Sequence, residues 1–323
     1  MPCARLLLLL FLVLAAGCES SNTKLRVFIA DSLSRPFKEI KKAFEAKHPD
    51  VEIVQIPSGS VLCARKITEQ NDRADVIAVA DYMVIDQMLR PKYAQWSILF
   101  ATNEVGIAYT DMSIGAAQLT TENWYEILSR PEVKVQAANP FHDPCGYWTE
   151  LCWKLSDLYY NVDGRSIHDR MSDKCGPPGD RRSDSQHLLR LVELVGGIDY
   201  AFVYRSQALQ HNLSFLRLSP EIRLGDPQHV DRYRKVSINL SDVKTGEKRQ
   251  KSGDAIVFAI TVPTIAKHPE LAEQYVAFIL SPEGRAILTD QHMAVTNPPI
   301  TYDASVPQAL TSLVIRRSKP ETG

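Results

Sequence analysis

Leu25-Arg26-Val27-Phe28-Ile29-Ala30 runs directly into Asp31-Ser32-Leu33-Ser34-Arg35-Pro36-Phe37, and this stretch decides the fold. The first six residues are a short apolar run, the pattern of a strand buried on both faces. The next seven start a helix: Ser34 reads as its N-cap, Pro36 sits in the first turn, and Phe37, Ile40 and Phe44 mark one face. The same unit recurs downstream. Val51 to Ile56 is a second strand, Ser58-Gly59-Ser60 a turn, and residues 61–70 a second helix. Ala74 to Ala80 is a third strand, with a helix through Met88. Strand and helix in this alternation give a parallel α/β sheet with helices on its faces.

Ser97 to Thr110 is then extended for long enough to leave one lobe and enter another. A second α/β series follows: helix 121–128, strand 134–138, helix 146–160, helix 185–195 and strand 199–204. Between the last two helices, the stretch Cys175-Gly-Pro-Pro-Gly-Asp-Arg-Arg-Ser183 reads as a polar surface loop. Asp254 to Pro263 is a return crossing, followed by helix 269–280. The expected architecture is two α/β lobes joined by two crossing hinge strands. Residues 24–104 plus 256–315 form lobe 1, and residues 105–255 form lobe 2. Such a molecule closes on a ligand held between its lobes.

The chain begins with Arg5, an apolar run from Leu6 to Ala16, and then Gly17-Cys18. The run is shorter than the roughly 20 residues a membrane-spanning helix needs. With a small-residue site ending in Cys, residues 1–18 read as a lipoprotein signal. Cys18 is the expected lipidated residue, anchoring the chain on the periplasmic side of the cell membrane. Several acyl chains hold such an anchor stably. A formal net charge of −1 gives no reason to expect nucleic acid as a partner. Past the signal and Cys18, the cysteines are Cys63, Cys145, Cys152 and Cys175. Outside the cytoplasm such an even set can pair, and Cys63–Cys145 is the favoured disulfide; buried free thiols are the alternative.

In open α/β sheets ligands bind beyond the carboxyl ends of the strands. Ser32 lies just before one helix and Ser60 is placed to cap the next. First-turn N–H groups and a hydroxyl together bind anions without Lys or Arg. Taken singly, each serine is as well explained by plain capping.

Several segments carry a resemblance. They are Phe28 to Phe37, Gly59 to Thr68, Ala74 to Tyr82, Phe100 to Glu104, Asn123 to Leu128, Asp143-Pro144-Cys145-Gly146-Tyr147, and Ile198 to Ser206. In this order and spacing the chain resembles the archaeal-type tungstate/molybdate-binding lipoproteins of ABC importers. The resemblance covers nearly the whole mature chain. It implies a type II periplasmic-binding fold that captures a tetraoxoanion, tungstate or molybdate, as ligand rather than cofactor. It implies Ser32 and Ser60 as donors, Asp143 with the backbone of Pro144 and Cys145 on the other lobe, and Glu221 near a further ligand position. Pro144 has no N–H, so the donors there fall to Cys145. The implied partners are a permease with a separate ATPase subunit, for a protein that is monomeric and no enzyme.

Asp143 beside a dianion is repulsive, by about 4 kcal/mol per unit-charge pair at 4 Å and an effective dielectric near 20. It escapes by capping the helix at Pro144, by protonation, or by ligating the molybdenum or tungsten directly. The family takes the third route with a second carboxylate, where this chain has Val203. The family's first loop usually has Gly where this chain has Asp31. Either four oxo groups are held by hydrogen bonds, or Asp31 or Glu221 replaces the missing ligand. The competing readings are a binder of sulfate or phosphate, and a Cys-dependent hydrolase built on Cys145, His142 and Asp143.

Overall fold

The computed structural model describes residues 22–181, 184–241 and 248–319. The signal segment and Cys18 lie outside the described residues. Lobe 1 is built on a seven-stranded sheet. Its members are β1 (Thr23–Ala30), β2 (Val51–Ser58), β3 (Val76–Val79), β4 (Ile98–Thr102), β11 (Val257–Thr261), β12 (Ala294–Thr301) and β13 (Ile315–Arg316), in the order β13-β12-β4-β11-β3-β1-β2. β1 runs parallel to both β2 and β3, as the repeated strand–helix unit requires. The returning strand β11 is antiparallel to β3 and β4. Helix Ser34–Lys47 buries Phe37, Ile40 and Phe44 against this sheet. The helix starts one residue earlier than expected, with Leu33 at the cap and no side-chain cap bond.

Lobe 2 holds a four-stranded sheet in the order β6-β7-β5-β8: β5 (Val105–Tyr109), β6 (Val135–Ala137), β7 (Tyr200–Tyr204) and β8 (Ser214–Leu216). The Pro144–Tyr160 helix packs on it with Trp148 and Trp153 fully buried. The Ser185–Glu193 helix packs beside β7 through Leu188, Leu189 and Val192. A polar hairpin of β9 (Ser237–Ser241) and β10 (Lys248–Ser252) completes the lobe. The 175–181 stretch is not all surface: Arg181 is buried, pairs with Glu150 at 2.6 Å and lies over the Trp153 ring.

The extended segment from Ser97 breaks between β4 and β5, and the crossing is Asn103-Glu104. Ile256 bridges the two crossings, accepting from Asn103 N–H at 3.2 Å and donating to Leu224 O at 2.8 Å. Glu104 is buried there against Arg217 at 2.7 Å and Arg223 at 2.8 Å. A buried carboxylate is tolerable only with such partners.

Candidate functional site

The carboxyl ends of five strands meet at the interlobe cleft. β1 delivers Asp31 and Ser32, β2 delivers Gly59 and Ser60, and β3 delivers Asp81. From lobe 2, the turn after β6 delivers Asp143, and β7 ends on Tyr204. The lobes are in contact here. Gly59 lies so close to lobe 2 that a Cβ on it would sit 1.9 Å from the His142 carbonyl oxygen. Gln186 donates from lobe 2 to the Asp31 carbonyl at 3.4 Å, and Tyr147 donates its hydroxyl to Asp81 at 2.6 Å.

Within this contact three hydroxyls are notable. Ser32 is buried, and its Oγ has no hydrogen-bond partner among the described residues. Ser60 is buried and accepts from Ala80 N–H at 3.0 Å, which leaves its own proton to donate. Tyr204 is fully buried and its hydroxyl also has no partner among the described residues. Burial pushes the Tyr204 phenol far up, and its neighbours Cys145, Asp143, Tyr147 and Asp81 add to the rise. It is therefore a neutral donor, with Asp143 of lobe 2 and Asp81 of lobe 1 among its neighbours. An orphaned buried hydroxyl costs about 1–3 kcal/mol, and an oxyanion supplies the missing acceptor. Sequence reading missed Tyr204, because an aromatic at the end of a buried strand has the signature of core packing.

Asp143 caps two helices at once. Its Oδ1 accepts from Cys145 N–H at 2.9 Å and its Oδ2 from Ser185 N–H at 3.1 Å. Burial raises its pKa and these two N–H bonds work against that rise. This corrects the expected role of Cys145. Its N–H is taken up by the cap, and its thiol is buried in lobe 2, aimed at the Phe202 carbonyl. Pro144 is the first residue of the helix, in the position where a missing N–H costs nothing.

The disulfide expectation is also corrected: Cys63 and Cys145 are free thiols. Cys63 faces the Ile29 and Ser58 carbonyls of lobe 1, whereas Cys145 faces the Phe202 carbonyl of lobe 2. Burial drives the Cys145 thiol well up. A nucleophilic thiolate needs the opposite environment, which removes the basis for a hydrolase on Cys145, His142 and Asp143.

Glu221 does not join the cleft. It accepts from Ser219, whose Oγ is 3.1 Å from the Tyr159 hydroxyl. Tyr159 lies at the far end of the Pro144–Tyr160 helix, about 22 Å from Pro144 at ~1.5 Å per residue. The Ser219 hydroxyl lowers the Glu221 pKa, as a local bond at the surface does.

Asp31 is half-buried, and among the described residues its carboxylate has no donor or cation in contact. Burial, then Asp143 and Asp184, raise it from 3.8 to about 7, with Lys66 opposing. In its protonated form, which a pKa of about 7 keeps well populated near neutrality, this carboxyl is a donor to an anion instead of a repelling charge. Val203 is buried with Leu188 and Leu189, on the opposite face of β7 from Tyr204. The cleft thus offers hydroxyls from both lobes, and its carboxylates are capped or raised.

The chain matches the family model described as bacterial extracellular solute-binding protein over residues 25–294. It is 36% identical to the molybdate/tungstate-binding protein WtpA of Thermococcus kodakarensis over 339 aligned positions, covering 95% of this chain and 94% of the relative. It is 38% identical to a solute-binding protein of Petrotoga mobilis, covering 87% and 86%. Among solved structures, the periplasmic molybdate-binding protein of Azotobacter vinelandii superposes with a TM-score of 0.58 at 12% identity, covering 84% of this chain and 99% of that one. The sulfate-binding protein SubI of Mycobacterium tuberculosis gives 0.57 at 12% identity, covering 86% and 88%. These structures share the two-lobed type II periplasmic-binding fold. With this fold, this cleft and that match, the chain belongs to the family of bacterial extracellular solute-binding proteins.

Proposed function

We propose that this protein captures tungstate or molybdate in the interlobe cleft and delivers it to an ABC importer. One observation carries the reading: Ser32 after β1 of lobe 1 and Tyr204 at the end of β7 of lobe 2 both hold buried hydroxyls with no partner among the described residues. Neutral donors select a fully deprotonated oxyanion, since a protonated one needs an acceptor. The relative named for molybdate and tungstate, aligned over nearly all of both chains, supports this ligand class. Tungstate and molybdate are close in size, so both are ligands on this reading. Sulfate is smaller and cannot reach all donors at once.

The finer parts of the reading follow from the same logic. The mature chain is a monomer, held by lipid on Cys18 at the periplasmic side of the membrane. The closed, loaded lobes dock on a permease whose ATPase is a separate subunit. Calorimetric titration with tungstate, molybdate, sulfate and phosphate tests the ligand. The expected result is tight binding of the first two and at least 100-fold weaker binding of the others. Sulfate or phosphate binding as tightly as tungstate replaces this reading with that of another oxyanion carrier.

A further inference from the structure

We infer that Asp143 is a positioning residue that clamps two helix starts together, and that the bound oxyanion keeps only its own four oxygens around the metal atom. The inference rests on the oxyanion reading of the cleft. Both carboxylate oxygens of Asp143 are already oriented by backbone amides. One comes from the first turn of the Pro144–Tyr160 helix, the other from the first residue of the Ser185–Glu193 helix. Turning either oxygen toward a metal atom breaks a buried cap. The same clamp extends one step further: the Ser185 hydroxyl accepts from Gln207 at 3.0 Å.

The free carboxylate of the cleft, Asp31, is pushed toward its protonated form by burial and by Asp143 and Asp184, which makes it a poor second ligand. Val203 is packed into the apolar cluster under the Ser185–Glu193 helix, and Glu221 lies at the far end of lobe 2. The unpartnered groups of the cleft, the Ser32 and Tyr204 hydroxyls, are instead suited to the oxyanion's oxygens. What Asp143 does is fix geometry. The first helix carries Tyr147, which bonds lobe 1, and the second packs against the Asp31–Leu33 turn of lobe 1. Holding their starts in register sets where lobe 2 meets the ligand.

X-ray absorption at the tungsten L3 edge of the mature protein loaded with tungstate tests this. The expected spectrum has four short tungsten–oxygen distances and no longer ones. Additional oxygens in the coordination shell overturn the inference and leave the oxyanion function intact. Failure to take up tungstate or molybdate at all overturns both. Asp143→Asn keeps one acceptor and loses the other. It is expected to give the same four-oxygen spectrum with about tenfold weaker affinity, measured per folded molecule well below the unfolding temperature. Unchanged affinity rejects the positioning role. Should the amide variant fail to fold, Asp143→Ser, which still caps the first helix, is read in the same way.

Discussion

The Tyr147 hydroxyl donates to Asp81 Oδ2 across the cleft at 2.6 Å, joining the first turn of a lobe 2 helix to the end of β3 in lobe 1. The same carboxylate oxygen pairs with Lys251, whose ammonium lies 4.3 Å from the Trp148 ring centroid. Two donors from lobe 2 therefore converge on one acceptor of lobe 1, and opening the lobes breaks both contacts. A hydrogen bond to a charged group contributes about 1.5–3 kcal/mol. Tyr147→Phe is expected to speed tungstate release about tenfold with little change in stability, since the hydroxyl's partner lies in the other lobe. Stopped-flow tryptophan fluorescence reads the rate, because Trp148 sits beside the ion pair that parts on opening. Release at the wild-type rate would show that this contact does not restrain the closed form.

Gly59 separates folding from closure more sharply. Its backbone has φ −57° and ψ 140°, which any residue adopts, so alanine costs nothing within lobe 1. An added Cβ would stand 1.9 Å from the His142 carbonyl oxygen and 2.6 Å from its carbon, both in lobe 2. Gly59→Ala is expected to fold with an unchanged circular dichroism spectrum and a melting temperature near wild type. Its tungstate affinity should fall at least 100-fold, because the lobes cannot meet. Small-angle scattering in saturating tungstate should show the variant staying open. A variant that binds normally would mean the cleft closes along another path.

Asp31 gives the pH dependence. Burial and its neighbours Asp143 and Asp184 raise it from 3.8 to about 7. The folded state therefore holds a proton that the unfolded chain releases above about 4. The stabilisation is fully present below that pH and is lost as pH rises through about 7. Asparagine mimics the protonated form. Asp31→Asn is expected to match wild type at pH 3.5 and to be more stable at pH 8.5. The gain is on the order of 2 kcal/mol after discounting for partial exposure, or roughly 4 °C in melting temperature. Oxyanion affinity should follow the same sign, with the variant binding more tightly than wild type at pH 8.5. Thermal melts and titrations at a series of pH values check both. Parallel curves for the two proteins would place the titrating group elsewhere.

The lobes were legible because parallel strands buried on both faces leave continuous apolar runs, as in Leu25 to Ala30, and their turns carry Ser32 and Ser60. Asp143 followed by Pro144 was legible as a helix start for the same local reason. Other features were not. The Ile167–Cys175 helix buries only Ile167, Met171 and Cys175 in a charged stretch, too thin a stripe to stand out. β10 is polar throughout and β9 offers only Ile238 and Leu240 to the core, while β12 runs through Asn297-Pro298-Pro299, which argues against a strand. Tyr204 looks like its neighbours on β7 until its hydroxyl is seen without a partner. The second acceptor role of Asp143 depends on Ser185, 42 residues away. No local pattern reports such a bond.

The cysteines make the last prediction, in a compartment where disulfides are common. Cys63, Cys145, Cys152 and Cys175 are buried as free thiols. Burial raises Cys63, Cys152 and Cys175 to about 12 and Cys145 well above its ordinary value. Thiol–disulfide exchange needs a thiolate and access, and these sulfurs have neither. A bridge between Cys63 and Cys145 would also tie the Ser60–Thr68 helix of lobe 1 to the Pro144–Tyr160 helix of lobe 2, and so prevent the cleft from opening. Iodoacetamide is expected to leave all four unmodified in the native protein. After denaturation without reductant it should label all four, as counted by mass spectrometry. Dithiothreitol should leave the melting temperature unchanged. Labelling of only two after denaturation, with a melting temperature that drops by several degrees on reduction, would establish a bridge and require the surroundings of both sulfurs to rearrange.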